Sequence, residues 1–317
     1  MSSHAHPGRR MPPPDAATEV SDGIYAYVQP DGSWWINNTG FLVGRSGIVS
    51  VDACSTADRT AAYRRAIARV SDRPVRTLVN THHHGDHTFG NHQFTGATIV
   101  GHDGVRQALL DWGPPRNTPY WDDVDWGDVE LAPPFLTYTD GVKLYVDDLE
   151  CQVSHIGTPA HTTNDSIVWV PERRLLFSGD LVFNGGTPFL LQGSIAGALV
   201  AVDTLEALGA ETIVPGHGAV CGPEVLDTVR SYLRFVQDVA RRGREAGLTP
   251  LEAARETDLG EFAALLDPER LVGNLHRAYA ELPTDDAPVE LGVSIDAAAA
   301  LADMVTFNGG RPLSCYA

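Results

Sequence analysis

Thr81-His82-His83-His84-Gly85-Asp86-His87 is the stretch from which this chain is best read. His82, His84 and His87, with the Asp86 carboxylate, are of metal-ligand type and closely spaced. A cluster this dense must desolvate its polar groups and tolerate imidazole repulsion on protonation, so an incidental polar loop is the weaker reading. The segment just before it, VRTLV at 75–79, is apolar and β-branched and predicts a buried strand that delivers the histidines at its end. Loops at strand ends are where α/β sheets carry their chemistry. By alternation His82 and His84 share one side of an extended turn, while Asp86 and His87 follow where the chain bends at Gly85. His83 points away. One loop can thus serve two cations.

Upstream, residues 23–51 read as strands IYAYVQ, INNTGFLVG and GIVSVD, joined through the turn signals Asp31-Gly32 and Arg45-Ser46-Gly47 into an antiparallel meander. Trp34 and Trp35 follow the Pro30-Asp31-Gly32 turn, where they either pack across strands or lie over a pocket. Asp52 ends the last of these strands. The run ADRTAAYRRAIARVSD after it is helical, with Ala, Tyr, Ile and Val on one side, so strand, helix and strand 75–79 form a βαβ unit. Residues 1–20 are polar and Pro-rich and are expected to be disordered. Cys54, two residues beyond Asp52, is either a small buried residue or a participant in the site.

Downstream, a strand ATIVGHD and a short helix DGVRQALLDW precede an irregular insertion at 113–134, rich in Pro, Trp and Asp. Long irregular loops in compact domains often act as lids. Trp112, Tyr120, Trp121 and Trp126 there serve either as an aromatic wall for substrate or as anchors of the loop. A second half follows with strands LTYTD, VKLYVDD, LECQVSHIG, SIVWVPE and LLFSGDLVF, then a helix and strand TIVPGHG. Polar turns at strand ends are expected to present His161 and Asp180, and His217 comes at the end of TIVPGHG. From residue 223 onward the pattern is mainly helical, with a cap at Thr249 and a last Ala-rich helix over 294–307.

At 317 residues the chain is long enough to bury a full core in one α/β domain with additions. Four scattered cysteines without a C-x-x-C argue against a disulfide framework or a zinc knuckle and suit a reducing cytoplasm. A net charge of −18 with a single lysine, Lys143, disfavours nucleic acid and anionic membranes as partners and leaves a small-molecule substrate. Neither a spanning apolar run of about 18 residues nor the apolar core of a secretory signal is seen. Oligomeric state is not legible.

Asp52, THHHGDH, GTPAHTTNDS with His161, LLFSGD with Asp180, and VPGHG with His217 resemble, in order and context, the motifs of the metallo-β-lactamase superfamily over roughly 23–218. The resemblance implies a four-layer αββα sandwich spanning 21–222, with residues 223–317 as a helical extension packed on the same domain. It implies one cation held by His82, His84 and His161, and another by Asp86, His87 and His217. Asp180 would bridge them, and Asp52 would stand behind, fixing a histidine or the loop backbone. The cations expected are two Zn2+, with manganese or iron as alternatives. They would activate a hydroxide that cleaves an ester, thioester, lactone or amide bond, with Asp86 orienting the water or taking its proton. An aspartate at 180 points to a glyoxalase II-like or lactonase-like centre rather than a dedicated β-lactamase, whereas the acidic, Ala-rich tail offers no evident glutathione site. Trp34, Trp35 and Trp121 are the candidate substrate contacts. Two other activities share this ligand set: an iron-dependent dioxygenase, and a biosynthetic thioesterase or cyclase acting on an acyl or polyketide intermediate.

Overall fold

The computed structural model describes residues 11–283 and 290–317. Residues 1–10 of the segment expected to be disordered lie outside the described residues. Among the described residues the strands form two sheets. The first is seven-stranded, in the order β1 (Thr18–Ser21), β2 (Ile24–Tyr27), β3 (Thr39–Val43), β4 (Ile48–Val51), β5 (Val75–Val79), β6 (Thr98–His102) and β7 (Leu136–Tyr138). Its first four strands are antiparallel, and β4 through β7 run parallel. The second sheet is five-stranded, with β8 (Gly141–Val146), β9 (Leu149–His155), β10 (Ser166–Val170), β11 (Leu175–Asn184) and β12 (Thr212–Gly218) in consecutive order. Only β11 and β12 pair in parallel there.

The layers follow from which faces are apolar. Between the sheets, Leu42, Val49, Val51 and Val79 of the first meet Val153, Val168, Leu175 and Phe177 of the second. The outer face of the first sheet is covered by α1 (Ala57–Val70), whose buried Arg59, Ala62, Tyr63, Ala66 and Ile67 recur at helical spacing. The outer face of the second is covered by α4 (Ile195–Leu208), α5 (Val225–Glu245) and α7 (Arg270–Ala280), joined there by α6 (Pro250–Glu256) and α8 (Ala297–Phe307). The result is the expected αββα sandwich with C-terminal helices. Because both faces of each sheet are covered, β4 and β10 are buried along their whole length and are mostly apolar, Ser50 and Ser166 being the exceptions. Two short helices, α2 (Gly85–Thr88) and α3 (Asp103–Trp112), complete the first half. Thr249 caps α6 in a reciprocal box with Glu252, as the sequence indicates.

Three differences from the sequence reading have physical causes. The N-terminal segment is not wholly irregular, since Thr18–Ser21 pairs antiparallel with β2 as an edge strand whose existence depends on its partner. LTYTD does not open the second half; β7 closes the far edge of the first sheet beside β6, and the crossover comes after it. INNTGFLVG yields a strand only from Thr39, because Asn38 is engaged across the molecule. Its backbone amide donates to Gly216 O at 2.6 Å and its side chain to Pro215 O and Gly218 O, stitching β3 to β12 at the sheet edge where the site forms.

Candidate metal centre

Strand β5 ends at Val79 and releases the histidine loop at the edge where both sheets stop. One buried carboxylate organises that loop. Asp52, in the left-handed region with φ 61, follows β4 and accepts from Thr81 N (2.8 Å), Thr81 Oγ1 (2.7 Å) and His87 Nδ1 (2.8 Å). Aspartate tolerates that backbone conformation better than most residues. Since the Thr81 hydroxyl donates to Asp52, its oxygen accepts from His82 Nδ1 at 3.0 Å. A single side chain thereby contacts the loop backbone and orients two imidazoles, His87 directly and His82 through Thr81. His83 is buried beside His84, its ring nitrogen directed to Asn164 and its ring edge-on to Trp112, and it is not among the grouped ligand atoms.

The second half contributes three separate groups. His161, in the turn after β9, directs Nδ1 to the carbonyl of Phe189. His217, next to last in β12, directs Nδ1 to Gly32 O at 3.1 Å. Asp180 corrects the expectation of a turn residue: it lies within β11, where the register with β12 breaks between Gly179 and Phe183. Such an irregularity re-aims a side chain without ending the strand. Two glycines permit the close approach. A Cβ on Gly216 would stand 1.9 Å from Asp180 Oδ1, and one on Gly193 would stand 1.8 Å from Ala160 O.

These residues converge in two groups, His82, His84, His161 and Asp180, and Asp86, His87, Asp180 and His217, with the ligand atoms in each within 4.8 Å of one another. His84 Nδ1 lies 2.8 Å from His161 Nε2. Asp180 lies 3.8 Å from His82 Nε2, 3.3 Å from His161 Nε2, 3.0 Å from His87 Nε2 and 3.4 Å from His217 Nε2; Asp86 is 3.2 Å from His217 Nε2. Ligands about 2.0–2.1 Å from a tetrahedral ion stand roughly 3.3 Å apart, so these separations bracket that value.

The donors fit cations for a stronger reason. Each imidazole has one ring nitrogen beside an oxygen acceptor: Thr81 Oγ1 for His82, Gln192 Oε1 for His84 at 2.6 Å, Asp52 for His87, Phe189 O for His161 and Gly32 O for His217. That nitrogen carries the proton, so the other turns a lone pair toward two carboxylates. Buried lone pairs facing one another are untenable unless positive charge lies between them. Consistently, His82 Nε2, His87 Nε2 and Asp180 Oδ1 are buried with no hydrogen-bond partner among the described residues.

The titration of the side chains follows the same pattern. Burial holds His82 and His84 below the ordinary histidine range and His161 down at about 3, so these are neutral imidazoles. For His217 burial acts in the same direction, but Asp180 and Asp86 outweigh it and raise the group to about 9; His87 is raised too. Burial would lift Asp86, yet His87 and His217 keep it at about 2. Protons on His87 and His217 thus answer the carboxylates where cations are not bound.

The site opens into a cavity of about 230 Å3, floored by His84, Asp86, His161, Asp180 and His217. Trp34, Trp35 and Trp121, the candidate substrate contacts, all line it, as does Trp112. Trp126 instead anchors the insertion, edge-on to Trp35 and Phe89. Cys54 is fully buried and held in its thiol form by that burial, and it does not line the cavity. Sequence reasoning missed Gln192, which fixes His84, and Phe183, Phe189, Arg270 and Leu301 of the wall. None lies in a polar cluster that would have singled it out.

A family model described as the metallo-beta-lactamase superfamily matches residues 32–217. A hydroxyacylglutathione hydrolase of Rhodospirillum rubrum is 30% identical over 190 residues, covering 58% of this chain and 63% of that protein. A linear primary-alkylsulfatase of a Pseudomonas species is 25% identical over 265 residues, 70% of this chain and 50% of its own length. The chain thus spans between half and two thirds of the length of these relatives. Among solved structures, a metallo-beta-lactamase from Pontibacter korlensis superposes with a TM-score of 0.58 at 18% identity, over 69% of this chain and 98% of that one, which establishes a shared fold.

Proposed function

This chain belongs to the metallo-β-lactamase superfamily, and we propose that it is a metal-dependent hydrolase of a small molecule carrying an ester, thioester, lactone or amide bond. The observation that carries this reading is the orientation of five histidine lone pairs toward two buried carboxylates, an arrangement only cations satisfy without protonation. We assign His82, His84 and His161 to one cation, Asp86, His87 and His217 to the other, and Asp180 to both. Zinc suits the imidazole and carboxylate donors, with manganese or iron as the alternatives. When bound, a pair of divalent cations lowers the pKa of water toward neutrality and polarises a carbonyl oxygen.

The remaining work falls to side chains. Asp52 fixes the ring of His87 directly and that of His82 through Thr81, so the donor atoms are preorganised. Asp86, kept ionised at neutral pH and lining the cavity, orients the attacking water or accepts its proton. The indoles of Trp34, Trp35 and Trp121 keep bulk water from the reacting bond. The hydrolase and alkylsulfatase relatives support hydrolysis over oxidation.

Two measurements test the proposal together. Elemental analysis of protein purified without added metal should find zinc or manganese, and the metal-loaded protein should turn over at least one class in a panel of esters, thioesters, lactones and lactams. Full metal content with no turnover across the panel would overturn it; stoichiometric iron with oxygen consumption would replace it with the dioxygenase reading.

A further inference from the structure

The wall of the cavity differs in character from its floor. Trp34 and Trp121 meet edge to face at 4.7 Å, Trp35 and Trp121 at 5.6 Å, and Trp34 and Phe189 at 4.9 Å, so the rings brace one another. Among the described residues, Arg270 is the one charged side chain lining the cavity outside the floor, and its charge is already matched. Its guanidinium lies 3.9 Å above the Trp34 ring and 2.9 Å from Asp267, and it donates to Thr187 O at 2.8 Å. A carboxylate entering against this wall would lose its hydration without meeting a free counter-charge. The net charge of −18 opposes polyanions further.

Size is compatible with a compact apolar body. A buried cavity of about 150 Å3 holds benzene, so the 230 Å3 here has room for an aromatic ring with a short linker, or for an alkyl group of similar bulk. Among the described residues, Gln192, bound to His84, and Arg270 are the polar side chains of the lining outside the floor. Trp35 sits at φ 68, a left-handed conformation that is costly for a bulky residue, and its Nε1–H is buried with no partner among the described residues. Strain of this kind persists where a site uses the side chain it positions.

We propose that this site selects uncharged substrates whose body is an aromatic ring or an equally compact apolar group, joined by a short linker to the scissile carbonyl. It discriminates against substrates that bear further carboxylates, glutathione conjugates among them. The inference about the wall stands on the lining residues; the scissile carbonyl rests on the hydrolytic reading above. In the reaction water oxygen bonds to the acyl carbon, the bond from acyl carbon to the leaving oxygen breaks, and the proton passes to the leaving group, giving an acid and an alcohol.

Two readouts test it. Tryptophan fluorescence of the purified protein, titrated with the neutral, non-hydrolysable 4-phenyl-2-butanone, should shift and saturate, with at least tenfold weaker binding when a carboxylate is placed on the far side of the ring. With metal-loaded protein, kcat/KM for methyl 3-phenylpropionate should exceed that for methyl acetate, for the para-carboxylated analogue and for S-lactoylglutathione by at least tenfold. Trp121→Ala should cut the preference for phenyl over acetate at least fivefold. Trp112→Ala, at a residue 42% exposed and so tolerant of truncation, should do the same in case the half-buried indole of Trp121 is needed for folding. Equal or better turnover of the carboxylated ester or the glutathione thioester, or absence of a fluorescence response to the ketone, overturns the inference. If no ester is hydrolysed, the hydrolytic reading fails while the titration still decides what the wall selects.

Discussion

The histidine loop after β5 and the three ligands of the second half reach the same point by opposite constructions. In the loop, His82 and His87 are held by a side chain, Asp52, acting directly and through Thr81. Across the cleft, His161 and His217 are held by the backbone carbonyls of Phe189 and Gly32. A side-chain hub can be removed by one substitution, and two ligands then lose their orientation together. A carbonyl cannot be mutated away, so the second half is robust wherever the fold survives. His84 crosses the divide, since it belongs to the loop but is fixed by Gln192 from the other half.

The comparison is tested first where both halves share a residue. Asp180→Ala should lower kcat/KM by roughly a thousandfold or more, as loss of a member of a cooperating unit does, and should reduce bound metal from two ions toward one by elemental analysis. Retention of both ions and of most activity would mean the halves do not share a bridge.

Proton competition comes next. His217, raised from 6.5 to about 9 by Asp180 and Asp86 against the pull of burial, and His87, also raised, must lose their protons to bind cations. Each proton displaced weakens metal binding by about tenfold per unit of falling pH. Calorimetry in buffers of differing ionisation heat at pH 7.5 should count one to two protons released. In the metal-free protein the elevated His217 contributes stability that is fully present below pH 6.5 and is lost as the pH rises through about 9. Its melting temperature should therefore fall across that window, and a flat or rising profile contradicts the assignment.

Asp52→Asn should weaken metal affinity by about 10–100-fold, acting on both ions because two ligands depend on one carboxylate. An effect confined to one ion would show that Thr81 holds His82 unaided. Gln192→Ala is the mildest case, expected to cost up to about tenfold at one ion only. Competition against a chromophoric chelator measures both variants.

The same asymmetry explains what could be read in the sequence. The loop was legible because its ligands fall within six residues and a β-branched run precedes them, and the βαβ unit around it followed from periodicity. His161, Asp180 and His217 stand singly at wide separation, and only their family resemblance grouped them. The run LLFSGDLVF already carried Asp180 inside a strand, but the register break beside it had no local signal, because such breaks are set by the neighbouring strand. The same is true of β7, whose sheet membership depends on pairing with β6. Carbonyl partners such as Gly32 O are invisible in any sequence, since every residue has one. The aromatic wall was half legible: Trp34, Trp35 and Trp121 stand out beside turns and in the insertion, whereas Phe183, Phe189 and Leu301 carry no signal of their own in the sequence.

Gly216, where an added Cβ would stand 1.9 Å from Asp180 Oδ1, bears on how such a scaffold is re-engineered. Any side chain there displaces the shared carboxylate, so a combinatorial library that includes position 216 would consist mostly of dead clones. Diversity placed at Trp112, Trp121 and Leu301 would leave that carboxylate undisturbed. New specificities should therefore be sought by changing the rim while the bed beneath stays fixed.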